Sequence, residues 1–192
     1  MLNKIKKIRE SSGAGIVEIK KALIEADGNE EKALGILRKK GSSKAAKKMG
    51  RKTYEGVIVS YVHSNKRVGA IVKLLCETDF VARNEEFENL ARDIAMHITA
   101  MNPQYIKPED VALDLISKER EIWTEQLKNE KKPKEIIDKI LAGKEQKFRQ
   151  DISLITQPSV KDHEITVGDL LTEKIFKIGE NIQIDDFSRM EL

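Results

Sequence analysis

Cys76-Glu77-Thr78-Asp79-Phe80-Val81-Ala82-Arg83-Asn84-Glu85-Glu86-Phe87 reads as the junction between two rigid elements. Ahead of it, Val68 to Leu75 is an apolar run broken only by Lys73, the pattern of a largely buried strand. Behind it, Asn84 followed by Glu85 and Glu86 predicts a helix start, with a capping side chain and then acids at the positive end of the dipole. Thr78 to Arg83 is then a short connection carrying a carboxylate and a phenyl ring at its tip. Loops aimed by a scaffold carry function, and an aromatic on such a tip is a typical anchor for a partner's pocket. Equally, Asp79 can cap the following helix while Phe80 folds back into the core.

Outward from this loop the chain divides by charge and by period. Residues 1–52 hold twelve lysines and three arginines against six acids, a net +9, while the remainder is −6 within an overall +3. A basic head on an acidic body predicts two modules, the head fitted to an acidic partner surface or to nucleic acid. Leu2, Ile5 and Ile8 mark a first helix, ended by Ser11-Ser12-Gly13. Ile16, Ile19, Ala22, Leu23 and Ala26 stripe a second, stopped at Asp27-Gly28. Asn29 caps a third, which is expected to end at Lys39-Lys40-Gly41. Residues 1–41 thus form a three-helix module and 42–53 a basic connector, either a short helix or a tether.

Residues 54–192 are expected to form the second module. Glu55 to His63 and Lys66 to Glu77 make a hairpin turning at Ser64-Asn65. Asn84 to Met101 is a helix with Phe87, Leu90, Ala91, Ile94, Ile98 and Met101 on one stripe. Helices over Glu109 to Glu130 and Pro133 to Gln150 pair as an antiparallel hairpin inserted at 109–150. In it Ile116, Trp123 and Leu127 face Ile137, Ile140, Leu141 and Phe148. Thr166-Val-Gly-Asp169 opens a last helix to Ile178 as a capping box. Asn181 to Met190 is a final strand, and Phe187, which falls out of its alternation, signals a bulge. The fold class is α+β, with a small antiparallel sheet, packed helices and a helical hairpin behind the three-helix module.

Chemistry narrows by exclusion. No apolar run approaches a membrane span, and no apolar segment follows the basic N-terminus as in a signal peptide. The single Cys76 excludes an intrachain disulfide and argues against a zinc cluster. Gly13-Ala14-Gly15 lacks the third glycine and the Lys-Ser/Thr ending of a phosphate loop. His63, His97 and His163 lie on different elements, without metal-ligand spacing or a Cys–His nucleophile pair. His97, at the edge of its helix stripe, is either a partly buried core histidine or a partner contact. The Lys39 to Lys52 tract has no interleaved aromatic to stack bases. It reads as a solvated face, with an RNA- or ribosome-associated module as the rival. A hydrolase built on Asp79 needs a second convergent acid or a metal, and neither is evident. No cofactor, metal or catalytic residue is expected.

The loop resembles the signature loop of elongation factor Ts, and the similarity runs on. Ser12-Gly-Ala-Gly-Ile-Val-Glu-Ile-Lys-Lys-Ala-Leu23 is similar to the N-terminal signature of that family, and Lys44-Ala-Ala-Lys-Lys48 to its connector. Ile94-Ala-Met-His-Ile98 with Pro103, Tyr105-Ile-Lys-Pro-Glu-Asp-Val111, Lys132-Pro-Lys-Glu-Ile-Ile137, Gly143-Lys144, Gln157-Pro158 and Thr166-Val-Gly168 follow in the family's order. The resemblance implies a ubiquitin-associated-like first module before an α+β core. It implies guanine-nucleotide exchange on elongation factor Tu, in the cytoplasm or an organellar matrix, without direct binding of nucleic acid or membrane. In that scheme Thr78, Asp79, Phe80 and Val81 enter the GTPase near its magnesium and phosphate site, Phe80 as a wedge. His97 braces the same surface, while Arg9, Ile16 and Val17 face the GTPase domain.

Three departures qualify the likeness. Many members duplicate the core, and 192 residues leave no room for a second copy. Short forms are expected to act as symmetric homodimers through sheet edges. Ile16-Val17 stands where methionines are common and Ile19 where a cysteine is, apolar throughout. The chain stops at Leu192 without the C-terminal helix of longer members, and with no cysteine near that end to lock a dimer.

Overall fold

Three helices open the chain: α1 (Leu2–Ser12), α2 (Ile16–Glu25) and α3 (Glu30–Lys48). A hairpin of β1 (Glu55–Val62) and β2 (Val68–Cys76) follows, then the single turn α4 (Asp79–Ala82) and the long α5 (Glu85–Met101). The paired α6 (Leu113–Leu127) and α7 (Lys134–Asp151) precede α8 (Val167–Ile178) and β3 (Gln183–Glu191). The computed structural model describes residues 2–128 and 133–192. Both sheet pairings are antiparallel, with β2 at the centre. The architecture is the expected α+β one.

Two of the apolar clusters interlock. Ile8, Ala14, Ile19, Ala22, Leu23, Ala33 and Leu37 close the three-helix module. Val72, Leu74, Phe87, Leu90, Ile94, Ile98 and Ile175 belong to the larger core, where α5 lies across the inner face of the sheet. The helix α3 does not stop at Gly41. It runs on to Lys48 and delivers Ala45 into the larger core. In return Phe176 of α8 packs on the module's cluster. Gly41 is the crossing point rather than a helix stop: a Cβ there would lie 3.2 Å from the Phe176 ring. Its backbone stays helical, so it serves close approach instead of a left-handed turn.

Other expectations shift locally. The hairpin connection spans 63–67, not two residues, and Lys66 takes φ 56° within it. Strand β2 is buried on one face only: Ala70, Val72, Leu74 and Cys76 face the core, while Ile71 and Lys73 are exposed. Met101 is exposed at the end of the α5 stripe. Glu109 and Asp110 belong to a 3-10 turn (Pro108–Asp110), and α6 begins only at Leu113 after the buried, extended Val111. The expected helix end at Glu130 lies outside the described residues, as does Lys132. The α6–α7 pair is closed by Trp123 and Phe148, edge to face at 5.7 Å between centroids. The bulge in β3 is present: Lys73 pairs with Asp186 and Leu74 with Ile184, leaving Asp185 extra. That one added residue lets Ile184 and Phe187 both turn inward.

Candidate functional site

Strand β2 ends in the fully buried Cys76, whose thiol donates to the Thr78 carbonyl at 3.2 Å. Burial, then the nearby Glu180 carboxylate, pushes this thiol up to about 11, so it stays protonated and unreactive at neutral pH. Thr78 is extended (φ −126°, ψ 156°) in the N-cap position of α4, yet its hydroxyl does not cap that turn. It donates to Glu180 Oε1 at 2.6 Å. The other oxygen of Glu180 accepts from the backbone N–H of Glu77 (3.1 Å) and of Thr78 (3.0 Å). Glu77 answers by accepting from the Asn181 N–H at 2.6 Å.

Beyond this clamp, α4 is a single turn. Ala82 is buried and Val81 half-buried against the core, which fixes the turn's inner face. At about 100° per residue the preceding side chain must then swing outward. Phe80 is 84% exposed. The ring therefore does not fold back into the core, and Asp79 does not cap α5. Asp79 pairs instead with Arg83 at 3.3 Å, and Asn84 caps α5 by accepting from Glu86 N–H at 2.8 Å. One helical turn further on, the Glu86 carboxylate takes both Lys174 and Lys177 of α8 at 2.6 Å. Burial pushes this carboxyl up, but the two ammonium groups outweigh it and hold Glu86 below the ordinary value.

His97 is 2% exposed and faces inward. Gln157 donates its amide to the Asp151 carbonyl at 2.8 Å, which leaves its oxygen to accept from His97 Nε2 at 3.0 Å. His97 Nδ1 is then the bare nitrogen and accepts from Val160 N–H at 3.2 Å. Burial depresses its pKa, partly opposed by the Gln157 bond. This is the core-histidine alternative: the imidazole latches the 157–160 segment beneath α5.

Arg9, Ile16 and Val17 all stand exposed on the first module, Val17 at 67%. The basic tract behind them, with Arg38 just ahead of it, is paired in part. Lys40 meets Glu25 at 2.8 Å, Lys44 meets Glu18, Arg38 meets Glu173 at 3.6 Å and Arg51 meets Glu77 at 3.5 Å. Among the described residues, no three His, Cys, Asp or Glu side chains are grouped to hold a metal ion. Among the same residues, no helix is long and apolar enough to cross a membrane. Sequence reasoning missed Glu180, and it read Asn181 only as the start of the last strand, which begins at Gln183. The sole signal was Gly179, the left-handed C-cap (φ 91°) that turns the chain back toward the loop.

The family model described as Elongation factor TS matches residues 38–192. The chain is 50% identical over 188 residues to Elongation factor Ts of Fervidobacterium nodosum, covering 98% of this chain and 95% of that relative. It is 52% identical over 183 residues to the protein of that name from Thermosipho melanesiensis, covering 95% and 93%. With its counterpart in Alkaliphilus oremlandii it shares 51% over 188 residues, 98% of this chain and 87% of that one. The chain belongs to the elongation factor Ts family.

Proposed function

We propose that this chain accelerates GDP release from elongation factor Tu during translation, by pressing the Asp79-Phe80 turn into the GTPase near its magnesium and phosphate site. The observation that carries this is an 84% exposed phenyl ring on a turn whose other residues are anchored. An apolar ring held in water has no folding reason to be there, since its burial is worth about 1.5–3 kcal/mol. A pocket in a partner supplies the reason.

The mechanism is coupling between two binding events. A nucleotide held at nanomolar affinity is stabilised by about 12 kcal/mol, much of it through phosphate and metal contacts. A wedge that fits only the arrangement lacking those contacts weakens the nucleotide, and the nucleotide weakens the wedge by the same factor. Each 1.4 kcal/mol or so removed from the release barrier speeds exchange about tenfold. Phe80 is the wedge, Asp79 stands beside it, and Thr78 and Val81 hold the turn. Arg9, Ile16 and Val17 dock the first module on the GTPase domain. His97 braces this surface from inside, through the segment it latches. The chain makes and breaks no covalent bond and needs no cofactor. Its place is the cytoplasm or an organellar matrix, where translation runs.

A second copy of the chain completes the assembly in this reading. Ile58, Val62, Ile71 and Met190 form an exposed apolar outer sheet face, and the β1 and β3 edges flank it. Such a face suits a homodimer. The ion pairs across the basic tract favour a protein partner over RNA. A phosphate-dominated complex weakens steeply with salt, and exchange on elongation factor Tu is expected to weaken far less. The direct test is release of fluorescent GDP from elongation factor Tu, with the native chain and with Phe80→Ala. Strong acceleration, largely lost in the variant, is the expected result. No acceleration by the native chain overturns the proposal.

A further inference from the structure

We infer that Glu180 is a positioning residue for nucleotide release, holding the Thr78 end of the turn so that Phe80 is presented in one direction; this rests on the wedge reading above. A turn of four residues cannot hold itself, because fixing a first helical turn costs more than its hydrogen bonds return. Phe80 gains no burial, so its direction depends on how the two ends of the turn are fixed. The C-terminal end is fixed by packing, with Ala82 in the core and the Asn84 N–H on the Val81 carbonyl at 3.0 Å. At the N-terminal end packing stops at the buried Cys76, whose thiol donates to the Thr78 carbonyl, and Thr78 itself is held by one carboxylate, more than a hundred residues away in the chain, taking three donors from Glu77 and Thr78.

That carboxylate is itself immobilised. Gly179 reverses the chain after α8, and Lys48 Nζ donates to its carbonyl at 2.5 Å. The next residue, Asn181, is fully buried and donates its amide to the Met49 and Arg51 carbonyls at 3.2 and 2.7 Å. Asn181 N–H then closes the ring onto Glu77. Bonds from neutral donors to a carboxylate are stronger than neutral pairs. Their geometry is bidentate here: one oxygen for the backbone, one for the hydroxyl. Removing the charge leaves α8, β3 and the core packing in place and frees only the approach to the turn.

The consequence falls on one kinetic quantity. A loosened ring must be ordered during nucleotide release, so the maximal release rate falls. Docking through the first module is untouched, so the half-saturating factor concentration stays. A merely structural role gives the opposite split: fewer folded molecules raise the concentration needed and leave the plateau alone.

The experiment is fluorescent-GDP release from elongation factor Tu, titrated with the native chain, Glu180→Gln, Phe80→Ala and the double variant. Glu180→Gln is expected to lower the plateau about tenfold, as loss of charge-assisted bonds would, with half-saturation within about twofold. In the Phe80→Ala background it is expected to add nothing, because Glu180 acts through that ring. Thr78→Val, which removes the hydroxyl donor to Glu180 Oε1 and keeps the side chain's shape, is expected to lose plateau rate with half-saturation unmoved, and it carries the test if Glu180→Gln does not fold. A native plateau in Glu180→Gln, an equal loss with and without Phe80, or a shift in half-saturation alone overturns the inference while leaving the wedge standing. If the native chain itself releases no GDP, the wedge proposal fails first and this one with it.

Discussion

The Asp79–Ala82 turn and the Ile16-Val17 end of α2 both hold apolar side chains out to water, on unlike foundations. The turn sits at the mouth of a core made of a sheet and two long helices, gripped at one end by Glu180 and at the other by Val81 and Ala82. Ile16 and Val17 sit on a module in which half of the buried cluster is alanine, namely Ala14, Ala22, Ala26 and Ala33. Gly15 precedes them without a side-chain cap. A surface that must push needs a stiff base, whereas one that only grips needs the right shape. Under the proposed function, that difference gives the turn the exchange step and the module the docking.

Phe80→Ala is the strongest way to break that comparison. It is expected to slow factor-driven GDP release at saturating factor by about a hundredfold, the loss of one interfacial hot spot. Because the ring is exposed, denaturant stability is expected to stay within about 0.5 kcal/mol of native. Ile16→Asp combined with Val17→Asp is the matching change on the module. It is expected to raise the half-saturating concentration about tenfold and leave the plateau near native. Titrated release curves separate the two. A plateau that falls as far for the module variant as for Phe80→Ala would erase the distinction between push and grip.

The seam between the regions gives a smaller, purely structural effect. Gly41→Val drives a branched side chain into the Phe176 ring, 3.2 Å from a bare Cβ, and is expected to destabilise by about 1–3 kcal/mol in urea unfolding. Gly35 lies in the same helix, and a Cβ there meets nothing within 4 Å. Gly35→Ala is expected to stabilise by about 0.5–1 kcal/mol through helix propensity alone. If both changes destabilise alike, Gly41 is not a crossing point and the two regions are joined elsewhere.

What could be read in advance was what is written locally. Asn29, Asn84 and Thr166 announce their helices because a cap needs only neighbours along the chain. The Asp185 bulge announced itself through Phe187, since an extra residue breaks a period of two. Gly41 was misread because a glycine that ends a helix and one that admits a neighbouring ring look identical until Phe176 is in place. For Phe80 both outcomes were open, and burial of Val81 and Ala82 decided between them. Glu180 was beyond reach, because a carboxylate that serves a loop a hundred residues earlier leaves no periodic trace.

The smallest effect, absent at neutral pH, tests the stiffness of the base through His97. Its pKa is depressed below 6.5 by burial. Between the folded value and the unfolded one near 6.5, the unfolded chain binds more protons, so stability falls as pH drops through 6.5 and levels off once the folded group titrates. One proton limits the slope to about 1.4 kcal/mol per pH unit. Protonation also turns Nδ1 into a donor facing the Val160 N–H, which opens the latch. The Lys161–Asp93 pair, Glu173 and Lys174 line the same cleft, so the variant must isolate the imidazole. His97→Gln is expected to flatten the slope in urea unfolding measured from about pH 8 to about pH 5.5. Glu86, depressed from 4.5, loses its contribution only at lower pH, so the windows do not merge. Residues 1–48 contain no histidine, so acid above that lower window loosens the base and not the grip. A slope that survives His97→Gln would move the proton uptake to another group and leave the latch on the 157–160 segment without a role in the acid response.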